Sequence, residues 1–211
     1  MATQRQDEAR PALDDLRQLV SGCRECELWN GATQSVFGEG PVPASMMLVG
    51  EQPGDQEDRQ GRPFVGPAGR VLDQVLDEAG IGRDQVYLTN AVKHFKWKAK
   101  GQRRIHDTPN RTEVAACRPW LERELDLVQP EVLVLLGATA GQAVLGTGFR
   151  VTRSRGVDLP GTGLAPHVVA TAHPSTVLRA PNASERQRAT QLLVRDLQVA
   201  GGLRVRALSE G

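Results

Sequence analysis

Four short apolar runs constrain the fold of this 211-residue chain more than anything else in it. They are Ser45–Gly50, Val86–Asn90, Glu131–Gly137 and His167–Ala172. Each is nearly continuous in apolar residues and too short for a helix, and three of them end at polar residues, as expected of strands buried on both faces. Helical spacing fills the intervals. Val71, Leu72, Val75, Leu76 and Ala79 precede a stop at Gly80; Val114, Cys117, Leu121 and Leu125 share one face of Thr112–Leu127. Ala138–Leu145 reads as a short helix, Ala183–Ala200 as the last one, and Pro11–Leu19 as the first. Strands alternating with helices imply an α/β fold with three layers, α/β/α, around a mainly parallel four-stranded sheet. Such sheets bind ligands beyond the carboxyl ends of their strands. Glu51–Asp58, Asn90 and His173-Pro-Ser all fall at those ends, so the strand ends should converge on one polar rim.

No linker or repeat divides the chain, which is expected to be one domain with residues 1–10 as a flexible tail. Residues 150–166 mix charge, Gly and Pro, with room for a short edge strand. No apolar run reaches the ~20 residues of a membrane span, and the polar start lacks a signal-peptide core. A cytoplasmic monomer is the expectation. Three cysteines are too few and too odd for a disulfide framework, and in a reducing compartment Cys23, Cys26 and Cys117 read as metal ligands. The nearest candidate fourth ligand is His94. Spacing alone leaves zinc and an iron–sulfur cluster both open.

The stretch Lys93–Arg111 carries seven Lys or Arg and one acid, against a net charge of +1 for the whole protein. Gly101, Pro109 and the clustered charge suggest a long exposed loop. Cations interleaved with Phe95 and Trp97 suit a nucleic-acid backbone with bases stacking beside it.

The polar clusters offer several chemistries, each with a plainer alternative. Glu51 and Asp55 could position water or stabilise a cationic transition state, or merely form an acidic helix start. Phe64 could stack on a flat ligand or plug the core. The Asn90 amide offers the donor and acceptor needed to read a base edge, or caps a turn. His173 could donate to a developing anion and Arg179 meet a phosphate, while Ser175 could simply cap a helix. His106, beside Arg103 and Arg104, is a possible nucleophile or one more backbone contact.

Taken together, GEQPGDQED (50–58), GRPFVGPAG (61–69), LTNAVKH (88–94), RRIH (103–106), TPNRTEVAACRPWL (108–121), LVLLGATA (133–140) and HPSTVLR (173–179) resemble the uracil-DNA glycosylase superfamily, specifically its UdgX type. The match runs in family order over most of the chain. His94 in place of a fourth Cys, and the inserted RRIH segment, are marks of that type. The resemblance implies a [4Fe-4S] cluster held by Cys23, Cys26, His94 and Cys117. It implies a uracil pocket lined by Gly50, Gln52, Phe64, Asn90 and Ser175, with backbone contacts from Arg103 and Arg104 and a supporting role for Arg179 towards the inserted loop or the DNA. Glu51, Asp55 and His173 would serve the bond cleavage.

His106 would then attack C1′ of the sugar, leaving a covalent protein–DNA bond in place of a released product. The expected substrate is uracil-containing DNA, single-stranded by preference because a base must leave the stack to react, in the cytoplasm of a bacterium at its nucleoid. One departure is Gln102, where the family loop usually has Lys; this should weaken a phosphate contact. The rival readings are a turnover glycosylase that releases an abasic site and a non-catalytic iron–sulfur DNA-binding protein.

Overall fold

A computed structural model of the chain describes residues 2–159 and 163–210. Four of its strands, β1 (Met46–Gly50), β2 (Val86–Asn90), β5 (Val132–Leu136) and β6 (His167–Thr171), form one sheet in the order β2-β1-β5-β6. Every pairing in it is parallel. The apolar runs are strands because both of their faces are covered. Met47, Val49, Tyr87, Leu133 and Leu135 pack on one side against α1 (Ala2–Ser21), α5 (Arg111–Val128) and α6 (Ala138–Leu145). Met46, Leu48, Leu88, Val134 and Leu136 pack on the other against α4 (Pro67–Glu78) and α9 (Ala183–Glu210). The three-layer α/β/α arrangement therefore holds as expected. Among the described residues no helix is long and apolar enough to cross a membrane.

Several boundaries differ from the sequence expectation. Helix α1 starts at Ala2, so residues 2–10 are helical where a tail was expected. The Ala, Gln, Arg and Glu of that segment are good helix formers and extend the turn begun by Leu13 and Leu16. The acidic turn after β1 closes into a short helix, α3 (Asp55–Gln60), and another, α2 (Leu28–Gly31), follows the CxxC turn. No edge strand is assigned among the described residues of 150–166: Val151–Ser154 is a helical turn, α7, and Arg155 and Asp158 make only isolated bridges to β6. Residues 160–162 lie outside the described set.

The largest correction concerns the basic stretch. Lys93, His94 and Phe95 are buried, and residues beyond them form a hairpin, β3 (Trp97–Lys100) with β4 (Arg103–His106). Gly101 takes a positive φ of 59° in the two-residue turn, as the tight hairpin turns that match strand twist require. Charge content misled the reading because the alternation of the strands hides within it. Trp97, Ala99, Arg104 and His106 share one face, while Lys98, Lys100, Arg103 and Ile105 share the other.

Candidate functional site

The register of the sheet builds the centre of the site. Gly50 pairs with Asn90 at the carboxyl ends of β1 and β2. Beyond them the amides of Ala91 and Val92 donate to the carbonyls of Gly50 and Glu51, at 2.9 and 3.0 Å. A Cβ on Gly50 would stand 2.3 Å from Asn90 Oδ1 and 2.6 Å from Phe64 Cζ. The amide and the ring thus close over the bare backbone of Gly50, and no other residue type fits there.

Phe64 is buried and holds a positive φ of 56°, an unfavourable conformation for an aromatic residue. Its loop is pinned from several sides. Arg83 donates to the carbonyls of Pro63 and Phe64, and the buried Glu57 carboxylate accepts from the amides of Gly54 and Gly66, tying the two loop walls together. The Phe64 ring stacks beside His173, with centroids 6.5 Å apart and 29° between planes.

His173 follows β6. Its Nδ1 accepts from the Ser175 amide at 3.2 Å and lies 2.8 Å from Ser175 Oγ. An Nδ1 that accepts an amide proton carries none of its own, which leaves Nε2–H as a donor. Burial pushes the pKa of His173 down to about 4, so the ring is neutral at pH 7. Ser175 is therefore an orienter of His173 and not a helix cap. Arg179 donates to Ser175 Oγ at 2.9 Å, completing a short relay, and among the described residues this is the side-chain bond it makes. No contact of Arg179 with the hairpin is seen among the described residues.

Glu51 stands at the end of β1. Its Oε2 accepts from Thr139 Oγ1 at 2.5 Å, and its Oε1 lies 3.2 Å from His106 Nε2. Burial raises its pKa, but the hydrogen bonds from His106 and Thr139 outweigh this and hold the carboxyl below the usual glutamate range. It is an anion at neutral pH. His106 is half exposed, at the end of β4 on the inward face of the hairpin.

Two expected ligand contacts, Gln52 and Arg104, and one carboxylate expected to serve the bond cleavage, Asp55, hold that hairpin. Gln52 donates through Nε2 to the carbonyls of Lys96 and Asp107 at 3.1 and 2.9 Å and accepts from the Lys96 amide at 2.9 Å. Both protons of its amide are taken up by the two ends of the hairpin, which commits its side chain there. Asp55 is bound by Arg59 at 3.0 Å and Arg104 at 2.5 Å, both guanidinium groups. Arg104 also reaches the buried Asp58 at 2.6 Å and Thr33 Oγ1 at 3.2 Å, beneath the rings of Phe95 and Trp97. It is a clamp, not a free phosphate contact. Arg103, Lys98 and Lys100 stand exposed on the outward face with Ile105. Gln102 sits exposed in the turn.

The three cysteines among the metal candidates lie near one another, and His94 is buried just after β2. Cys23 and Cys117 are buried and Cys26 partly so, with Leu28, Val92 and Trp120 around them. Trp120 Nε1 donates to Cys23 Sγ at 3.2 Å and the Lys93 amide to Cys117 Sγ at 3.3 Å. Burial pushes the Cys117 thiol up to about 11 and keeps His94 neutral. Neutral imidazole and N–H donors aimed at sulfur are what a thiolate-held centre uses. No group of three or more His, Cys, Asp or Glu among the described residues is arranged around a single ion. A cubane takes one ligand per iron and does not ask its donors to share one coordination sphere.

Sequence reading missed Glu57, Asp58, Thr139 and the buried pair Lys93–Glu124. Only the last left a visible sign. Glu124 lies seven residues after Cys117 and three after Leu121, on the apolar face of α5.

The uracil DNA glycosylase superfamily model matches residues 37–198. A type-4 uracil-DNA glycosylase of Sulfurisphaera tokodaii is 36% identical over 178 residues, 81% of this chain and 78% of that protein. One of Thermotoga maritima is 36% identical over 189 residues, 89% of this chain and 92% of that protein. A type-5 uracil-DNA glycosylase of Pyrobaculum aerophilum is 33% identical over 150 residues, 64% of this chain and 63% of that protein. With the fold, the matched segments and the strand-end rim in agreement, the chain belongs to the uracil DNA glycosylase superfamily.

Proposed function

We propose that this protein excises uracil from DNA, single strands by preference, and ends the reaction bonded to C1′ of the sugar through His106, in the manner of the UdgX type. The type-4 relatives support the excision. One contact carries the covalent step: His106 Nε2, 3.2 Å from Glu51 Oε1 at the pocket mouth.

Asn90 and the Phe64 ring receive the flipped base. Cleavage leaves the electron pair of the C1′–N1 bond on uracil, and neutral His173 hydrogen-bonds through Nε2–H to the anion. The Glu51 carboxylate faces the cationic sugar left behind. His106 then forms an Nε2–C1′ bond as its Nε2 proton passes to Glu51 Oε1. Uracil takes a proton from water, and the product is a neutral alkylated imidazole on an abasic sugar. A nucleophile held in place outruns water through proximity.

We assign a [4Fe-4S] cluster to Cys23, Cys26, His94 and Cys117. When bound it would tie the N-terminal turn to the segment after β2 and to α5, and no catalytic step runs through it.

The test is a uracil-containing single-stranded oligonucleotide mixed with the protein, boiled in SDS and run on a denaturing gel. A shifted band is expected, absent with thymine, and lost in His106→Ser with alkali-labile abasic DNA in its place. Alkali-labile DNA without a shifted band from the unaltered protein would mean turnover by water. Neither product would leave only DNA binding.

The clamp gives a second expectation. Arg104→Met frees β4 from Asp55 and Asp58 and leaves the pocket intact. Covalent capture should slow about 100-fold, the usual effect of misplacing a reacting atom by an ångström. Uracil release, measured separately, should change little. Equal losses in both would refute a role confined to placing His106.

A further inference from the structure

A cavity of about 730 Å³ opens between α1, the segment 29–40 and the loop 61–63. Of its lining, the proposed function uses only His94, assigned above to the cluster. Its lining includes Arg10, Arg17, Arg24 and Arg62 and one carboxylate, Glu39. That carboxylate is already met by Arg62 in a two-pronged pair, at 2.6 and 3.0 Å. Arg17 has Asp14 of its own helix at 3.9 Å, off the cavity wall, and among the described lining residues no further acid faces the arginines.

The arginines are held and not merely splayed. Arg17 donates to the Gly38 carbonyl at 3.1 Å, and Arg24 donates to the Cys23 carbonyl at 2.8 Å. Arg24 also lies over the Trp29 ring, 4.4 Å from its centre. Trp29 is 36% exposed, an unusual degree for an indole.

Two segments of the cavity wall adjoin elements of the proposed site. Gly61, Arg62 and Pro63 lead directly into Phe64. Thr33, also on the wall, receives Arg104 of the hairpin, and the Gly31 carbonyl beside it receives Trp97 Nε1 at 2.7 Å.

We propose that the cavity is a groove for the single-stranded DNA flanking the excised nucleotide. The arginines take its phosphates, and Trp29 with Arg24 provides a platform for one unstacked base. The proposal rests on the uracil-DNA reading above for the identity of the strand. Its predicted signature is length dependence: a trinucleotide fills the pocket without entering the groove, whereas about 20 nucleotides fill both.

The experiment compares the unaltered protein with Arg10→Ala/Arg17→Ala and with Trp29→Ala, after circular dichroism shows each variant folded. Binding is measured with a 20-nucleotide single strand lacking uracil, which excludes covalent capture, across a range of salt. The double variant should bind about tenfold more weakly at low salt, and the slope of log affinity against log salt should shrink by about 1.4, roughly 0.7 per lost phosphate contact. Trp29→Ala should weaken binding with the slope unchanged. Excision from a uracil trinucleotide should be the same in all three proteins.

An unchanged slope on the 20-mer, or equal losses on trinucleotide and 20-mer, would overturn the groove. If the unaltered protein bound the 20-mer with the expected slope difference but excised nothing, the groove would stand and the excision reading would fall.

Discussion

Glu51→Gln is expected to lower the single-turnover rate of uracil excision about 100- to 1000-fold, with the protein still folded. Glutamine keeps the shape of the side chain and can still accept from Thr139 Oγ1. It removes the negative charge that faces the sugar as the glycosidic bond breaks. Preorganised electrostatic contacts of this kind are worth factors of that size in a site partly closed to water. A modest part of the stability should be lost, since the lowered pKa of Glu51 means that the bonds from His106 and Thr139 outweigh the cost of burying its charge. Covalent capture should fall with excision, and further, because glutamine cannot take the His106 proton. A loss of only a few-fold in excision with capture abolished would reduce Glu51 to a holder of His106.

The same groups set the pH dependence. Glu51 is held below the ordinary glutamate range, so its active anionic form persists above that lowered value. His173 is pushed down to about 4, so its active neutral form persists above about pH 4. Both forms are lost as pH falls, never as it rises. Excision measured under single-turnover conditions should therefore show no limb from either group between pH 6 and 8, about neutrality, and should decline as pH approaches about 4. A fall already near the ordinary histidine value of about 6.5 would contradict the neutral, buried His173.

The second large effect is on stability. Lys93 and Glu124 form an ion pair with both side chains essentially out of solvent. Lys93 Nζ also donates to Thr89 Oγ1 and the Asn90 carbonyl, each at 2.8 Å. Glu124 also accepts from the Tyr87 hydroxyl at 3.0 Å, from Thr89 Oγ1, and from the Gly38 amide at 3.0 Å. Burial and the Glu124 charge push the Tyr87 pKa far up, which keeps that hydroxyl a donor.

Glu124→Leu would strand a buried ammonium group and is expected to cost about 3–5 kcal/mol in chemical denaturation. Lys93→Met/Glu124→Leu should recover much of that loss, since an apolar pair of similar volume often replaces a buried ion pair at little cost. A double variant as unstable as the single one would show that the hydrogen bonds to Thr89 and Asn90, and not the stranded charge, dominate. Because Lys93 holds the Asn90 carbonyl and its amide holds Cys117 Sγ, this pair sits between the Asn90 end of β2 and the metal candidates.

The strands, their order of use and the rim they end on were legible in the chain, because burial on both faces demands unbroken apolar runs and the polar residues after them have nowhere else to go. The position of Glu51, Asn90 and His173 on that rim was readable for that reason, whereas the place of Phe64, in a Gly/Pro loop, was not. The division of labour around them was not. Gln52, Asp55 and Arg104 carry the chemistry expected of ligand contacts, and only their partners in space assign them to the hairpin.

Lys93 gave the same difficulty in reverse. Its neighbours are cations, so it read as surface, and its neutralising partner lies 31 residues away on α5. Local patterns report which side chains are apolar and how often they recur, and the sequence determined the layers of this protein on that basis. The pairing of charges is long-range, fixed when helices and hairpin close on the sheet, and so the tertiary structure alone decided which polar residues build the site and which are left to act in it.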